Sequence, residues 1–248
     1  MCNVNLTSRK CEVKVTLLYL LIYWGRGYLL GDFLSSFAEG DVIDRRLLST
    51  TEKNTRGIYD RNARLFDSER SKRLEEKRWL DRFSDLLPKS AKVLDVGCGA
   101  GEPIARYLIG KGFEIEGLDF SRTMLEIIRG RFPDQSWHRM DMRMLSLSTR
   151  FDGIIAWHSF FHLNHDDQEL TLHKFVEHLE PEGVLLITVG DRYGEVVGRV
   201  GAEEIYHASF SFETYEKILA NLHMRVLDFV RNDPDCGMAS VLLAQRES

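Results

Sequence analysis

From residue 57 onward, apolar and polar positions fall into two alternating rhythms. Residues 57–87 carry the helical one: Trp79, Phe83, Leu86 and Leu87 recur at i, i+4, i+7 and i+8, predicting a core-facing stripe that Pro88 ends. The pairs Glu69–Arg73 and Lys72–Glu76 read as the solvated face of that segment. Beyond residue 91, short apolar runs alternate with amphipathic ones. Lys92–Val96, Phe113–Leu118, Ser136–Met140, Phe151–Trp157 and Gly183–Val189 predict strands, and unbroken Ile154-Ile155-Ala156 implies burial on both faces. Helices are predicted over Glu102–Ile109, from a Ser121 cap through Phe132, after an Asn164 cap with Leu172, Phe175, Val176 and Leu179 inward, and over Phe212–Leu222. Alternating strands and helices imply a parallel sheet covered on both sides, a doubly wound α/β fold. Val226–Val230 and Ser240–Ala244 are joined only by Asn232-Asp233-Pro234-Asp235-Cys236-Gly237, too short for a crossover, so this closing pair is antiparallel.

At 248 residues with 44% hydrophobic and 29% charged positions, the chain has globular composition and length for one substantial core. Its net charge of −5 argues against a broad nucleic-acid footprint. Cys2, Cys11, Cys98 and Cys236 are widely spaced with no CxxC pair, which fits a reducing, cytoplasmic setting. Residues 1–50 follow no part of the alternation. Their apolar run Val15–Trp24 is interrupted at Gly25-Arg26-Gly27. It falls short of the roughly 20 residues needed to span a bilayer, so no membrane association is expected of it. The plan is an extension over 1–50 and one domain over 51–248 with covering helices at about 57–87.

In a doubly wound sheet a ligand sits outside the carboxyl ends of the strands. There the sequence places Asp95-Val96-Gly97-Cys98-Gly99-Ala100-Gly101, whose alternate glycines let the backbone turn sharply against a ligand. The dinucleotide pattern Gly-x-Gly-x-x-Gly fails, because its last position is Glu102, which would repel a pyrophosphate. Acidic residues suit instead a phosphate-free cation such as S-adenosylmethionine (SAM), which carries an ammonium and a sulfonium. Asp119 closes the second strand, where a carboxylate can accept both hydroxyls of a ribose. Asp141 and Met142 follow the third, where a carboxylate, a backbone N–H and a thioether could meet an adenine.

The stretches Val93–Gly101, Gly117-Leu118-Asp119-Phe120-Ser121, Asp141-Met142 and Phe151–Trp157 together resemble the successive signatures of class I SAM-dependent methyltransferases. The resemblance covers roughly residues 57–246. It implies a seven-stranded sheet in the order 3-2-1-4-5-7-6 with the last strand antiparallel. It also implies that Asp95 and the glycine loop (Gly97, Cys98, Gly99, Gly101) hold the methionine part, Asp119 the ribose, and Asp141 with Met142 the adenine; Phe120 and Trp157 are further candidate cofactor-binding residues. Ile58-Tyr59-Asp60 to Trp79 is similar to the covering helices of small-molecule members.

Methyl transfer needs alignment of nucleophile and methyl carbon and exclusion of water. His158 and His162 in Trp157-His158-Ser159-Phe160-Phe161-His162 are candidate bases, Phe160 and Phe161 candidate walls of an apolar acceptor pocket, and Tyr59 a residue reaching over the cofactor. His207 is a candidate lid residue. No metal is expected, since His158, His162 and His165 lack an HExxH pattern or a nearby cysteine. The N/D-P-P-Y/F tetrapeptide that resembling enzymes use on nucleobase or glutamine amino groups is missing after the fourth strand. The expectation is methyl transfer from SAM to oxygen or nitrogen of a small molecule; the alternatives are an NAD-dependent oxidoreductase and a non-catalytic SAM-binding protein.

Overall fold

The computed structural model describes residues 45–200 and 202–248, so the run Val15–Trp24, Cys2 and Cys11 lie outside the described residues. Helix α1 (Arg45–Glu69) is followed by α2 (Lys77–Asp85). The continuous helix expected over 57–87 is therefore two helices. Leu74 sits in the break at φ +55°, a conformation disfavoured for a side chain by roughly 1–2 kcal/mol. Its packing on the core and the Arg70–Glu76 ion pair (2.7 Å) across the break oppose that strain. Trp79 and Phe83 of α2 are buried as expected, but Leu86 lies past the helix end and is 40% exposed.

The alternation then runs β1 (Lys92–Val96), α3 (Ile104–Gly110), β2 (Glu114–Asp119), α4 (Arg122–Arg131), β3 (Ser136–Arg139), β4 (Phe151–Ala156), α5 (His165–His178) and β5 (Leu179–Val189). Ser121 caps α4 by accepting from Met124 N (3.2 Å), and Asn164 caps α5 by accepting from Asp167 N (2.8 Å), which stops each preceding segment from continuing the helix backward. After β5 come strands β6 (Gly194–Val200) and β7 (Glu203–Ser209), helix α6 (Phe212–Asn221), and strands β8 (Met224–Asp233) and β9 (Ala239–Arg246). The central sheet has the order β3-β2-β1-β4-β5-β9-β8, with β9 antiparallel to both neighbours. This is the expected order, with β8 and β9 as sixth and seventh strands.

Strand residues alternate between two cores. Val93, Ile115, Ile155 and Leu186 face α2, α3 and α4, whereas Leu94, Leu118, Ile154 and Leu185 face α5 and α6. Both faces being dry is why these strands read as nearly continuous apolar runs.

The hairpin β6–β7 was not anticipated. An isolated two-stranded ribbon is marginal in water. Here α1 supplies the missing face: Leu48 packs on Tyr206 and Ala208, and Ile58 on Ile205. Among the described residues no helix is long and apolar enough to cross a membrane.

Candidate functional site

At the carboxyl rim of the sheet, under α1, lies a cleft enclosing about 1380 Å³ of empty space, its open mouth included. Its walls contain Tyr59, Asp95, Gly97, Cys98, Gly99, Gly101, Asp119, Phe120, Asp141, Met142, Trp157, His158 and His162, which is every residue proposed from sequence for cofactor or catalysis.

The glycine loop follows directly from the register. Asp95, near the end of β1, lies level with Gly117 of β2 and Ile155 of β4. The chain then turns: Gly97 N and Cys98 N donate to Leu118 O at 2.8 and 3.1 Å. Gly97 sits at φ +72°, and a Cβ there would lie 2.4 Å from the Ser159 Cβ. Only glycine lets Ser159 come close enough to donate to Val96 O (2.7 Å) and tie the loop to β4.

Two buried carboxyls face this loop. Asp119 accepts from Gly99 N (3.0 Å) and Ser121 N (2.8 Å). Burial raises its pKa to about 6 despite those bonds. Asp95, 3% exposed, is raised to about 7 by burial first and by the charge of Asp119 second. Two acids held this way stabilise any cation that enters between them. Cys98 is buried and its thiol is pushed well above the ordinary value by burial, so it fills space and has no thiolate character.

Asp141, following β3, caps a short 3-10 turn (Met142–Met144) in the cleft wall. Burial acts to raise its pKa, but bonds from Arg143, with Arg56 nearby, hold it below the usual carboxylate range. Arg143 clasps it through Nε (3.0 Å) and Nη2 (2.8 Å). Glu102 is turned toward Lys72 (3.1 Å) and Arg131 (3.7 Å).

The central wall joins distant segments. His162 Nδ1 lies 2.9 Å from Tyr206 O and Nε2 lies 2.9 Å from the Tyr59 hydroxyl. A carbonyl only accepts, which assigns the ring proton to Nδ1 and leaves Nε2 to accept from Tyr59. Burial pushes the His162 pKa down to about 4. Tyr59 is raised, by burial and then by Asp119, so the phenol keeps its proton. His158 takes positive φ (+53°) with its N–H on Thr188 Oγ1 (2.8 Å). Burial, aided by Arg70 and His162, lowers its pKa to about 3.

Other expectations are corrected. Phe160 is fully buried against Phe175 in the core beneath α5, because its short 3-10 turn (Phe160–His162) points it inward, so it does not line the cleft. Phe161 also lies outside the cleft wall, packed on His158 and His207 with ring centroids 5.9 and 4.9 Å away. His207 stands behind His162 (4.8 Å), backing the wall and not covering the mouth. His165 turns away to Ser209 O (3.0 Å) and stacks on Tyr193. Among the described residues no group of three or more His, Cys, Asp or Glu side chains could hold a metal ion.

Sequence reasoning missed Glu52, Thr55, Arg56, Phe66, Asp67 and Arg70, all on or just past α1, together with Arg143, Ser159 and Asp167. The α1 group recurs at three- and four-residue spacing along one helix face. It mixes charge with aromatics, so a search for apolar periodicity passes over it.

The strand order, the glycine turn and the acidic rim define the class I methyltransferase architecture. A family model described as a methyltransferase domain matches residues 66–229, and the chain belongs to that family. Over 102 residues it is 38% identical to the dTDP-3-amino-3,6-dideoxy-alpha-D-glucopyranose N,N-dimethyltransferase of Streptomyces fradiae, covering 40% of each chain. Over 109 residues it is 33% identical to the dTDP-3-amino-3,4,6-trideoxy-alpha-D-glucopyranose N,N-dimethyltransferase of Streptomyces venezuelae, covering 43% of this chain and 46% of the relative. The match thus spans less than half the length of either relative. The solved SAM-bound amino pentose methyltransferase of Micromonospora echinaspora shares the fold, with TM-score 0.58 at 20% identity over 75% of this chain and 95% of that one.

Proposed function

We propose that this protein transfers a methyl group from SAM to a nitrogen or oxygen of a small molecule. The observation that carries the reading is the pair of buried carboxyls, Asp95 and Asp119, facing a bare glycine turn in the cleft. Burial, and for Asp95 also the charge of Asp119, disfavours their ionisation, so the site suits a cationic ligand and rejects pyrophosphate. In this reading Asp95 and the turn from Gly97 to Gly101, with Cys98, hold the amino-acid end of SAM. Asp119 and Phe120 hold the ribose, Asp141 and Met142 the adenine, and Trp157 packs beside them. SAM supplies, when bound, a methyl carbon made electrophilic by its positive sulfur.

The chain's own part is positioning. Because His162 Nε2 already accepts from Tyr59, the group offered to an acceptor is the phenol oxygen of Tyr59, which can accept from an acceptor N–H or O–H and aim its lone pair. The Tyr206 carbonyl fixes the His162 ring, and His162 fixes Tyr59. With a pKa near 4, His162 acts as a neutral hydrogen-bond acceptor and is a weak base for removing a proton outright. His158, lower still, contributes shape.

The named amino-sugar relatives make a primary or secondary amine on a small molecule the first acceptor class to try. The buried free thiols Cys98 and Cys236 support a reducing, cytoplasmic setting. We assign the activity to residues 51–248 together with the first turns of α1 from Arg45, whose Leu48 packs on Tyr206 and Ala208. Incubating the protein with methyl-labelled SAM and cell extract, then identifying the labelled product by mass spectrometry, tests the proposal. Absence of label with intact SAM binding would support a binding protein, and binding of NADH in place of SAM would support an oxidoreductase.

A further inference from the structure

The adenine end of the cleft contains a competition. A carboxylate offers about four lone-pair directions. On Asp141, Oδ1 accepts from Arg143 N (3.0 Å) and Nε (3.0 Å), and Oδ2 accepts from Arg143 Nη2 (2.8 Å) and Arg56 Nη1 (2.6 Å). The carboxylate is therefore saturated by the chain's own donors, and an incoming amino group must displace one of them. Arg143 is the harder to move. It grips Asp141 by backbone and side chain together and is also tied to Asp167 Oδ2 (2.8 Å). Arg56 differs: it reaches in from α1, its side chain is 51% exposed, and Asp141 is its one partner among the described residues. The helix that carries it is anchored by Leu48, Ile58 and Ala63, each buried against β7 or the loop–α4 junction. Movement at this point therefore belongs to the Arg56 side chain, with α1 staying in place.

We infer that Arg56 competes with the adenine amino group for Asp141 and so sets the affinity and base selectivity of the adenosyl end of the cleft. The inference rests on the reading of the cleft as a SAM site. Removing the guanidinium frees one acceptor direction on Asp141, which a ligand carrying an exocyclic amino group can then use without first breaking an ion pair. A base with a carbonyl at that position has no proton to offer and gains nothing.

The test is calorimetric titration of the full chain with adenosine, a neutral probe, with inosine, and with S-adenosylhomocysteine. Wild type is compared with Arg56→Ala and with Arg64→Ala, an exposed arginine of the same helix outside the cleft. A half-exposed ion pair is weak, so Arg56→Ala is expected to bind adenosine and S-adenosylhomocysteine about two- to fivefold tighter, with inosine unchanged. Raising the salt concentration should tighten adenosine binding to wild type by a similar factor and leave Arg56→Ala flat, since screening loosens the competing pair. Arg64→Ala should match wild type. Unchanged or weaker adenosine binding by Arg56→Ala, an equal gain for inosine, or the same gain in Arg64→Ala overturns the inference while leaving the SAM reading intact. Failure of wild type and variants alike to bind any adenosyl ligand overturns both.

Discussion

Substituting Asp95 by Asn should stabilise the ligand-free protein and abolish its affinity for SAM. Burial and the neighbouring Asp119 raise the Asp95 pKa from 3.8 to about 7. A group raised in the folded state contributes stability below its unfolded pKa and loses that contribution as pH climbs through the folded value. Near neutrality, then, ionised Asp95 works against folding. At about 1.36 kcal/mol per pH unit, the interval from 3.8 to about 7 corresponds to about 4 kcal/mol at full ionisation. An asparagine there removes that penalty but brings amide hydrogens that need partners, which costs about 1–2 kcal/mol. The net gain expected near about pH 7.5 is about 2–3 kcal/mol, or roughly 4–12 °C in melting temperature for a domain of this size. At about pH 5 the charge penalty shrinks to roughly 1–2 kcal/mol and the amide cost cancels it. Melting both proteins at the two pH values measures the difference directly. The lowered histidines His158 and His162, which make both proteins less stable as pH falls below 6.5, drop out of the comparison. A destabilised Asp95→Asn, or a gain equal at both pH values, would refute the electrostatic account. So would SAM binding as tight as wild type, since the charge would then have no ligand to serve.

Four further substitutions test the same geometry. Asp119→Ala should abolish SAM binding in calorimetry, because it removes both the proposed ribose acceptor and the anchor of Gly99 N; unchanged affinity would rule out the ribose assignment. His162→Ala should slow turnover with little change in SAM affinity, since it releases Tyr59 without touching the acids; an undiminished rate would remove the Tyr59–His162 pair from catalysis. Gly97→Ala should destabilise by about 2–4 kcal/mol, combining positive-φ strain with overpacking on Ser159. Gly130→Ala, in α4 with nothing within 4 Å of the new methyl, should gain up to about 1 kcal/mol in the same denaturation assay, and equal effects would show that the contact at Gly97 is unimportant.

Much of the molecule was legible in the chain because it depends on neighbours. Apolar runs of period two, helix stripes, the caps Ser121 and Asn164, and the turn between β8 and β9 are decided within a few residues by backbone sterics and local hydrogen bonds. The glycine turn and the acids at three strand ends belong to the same group, since alternation of strand and helix already places them on one rim. What escaped depends on closure between segments far apart. Tyr59 meets His162 across 103 positions and Arg56 meets Asp141 across 85, and neither pairing has a local signature. The ribbon β6–β7 exists because α1 covers it, so nothing within a few residues of its strands marks it. Leu74 interrupts the first helical stretch against its own preference because Arg70 and Glu76 pair across the break. Sequence thus determined the sheet, its ligand rim and the chemistry gathered there. Tertiary structure alone decided which side chains close over that rim, because those contacts depend on where remote segments pack and not on what their neighbours prefer.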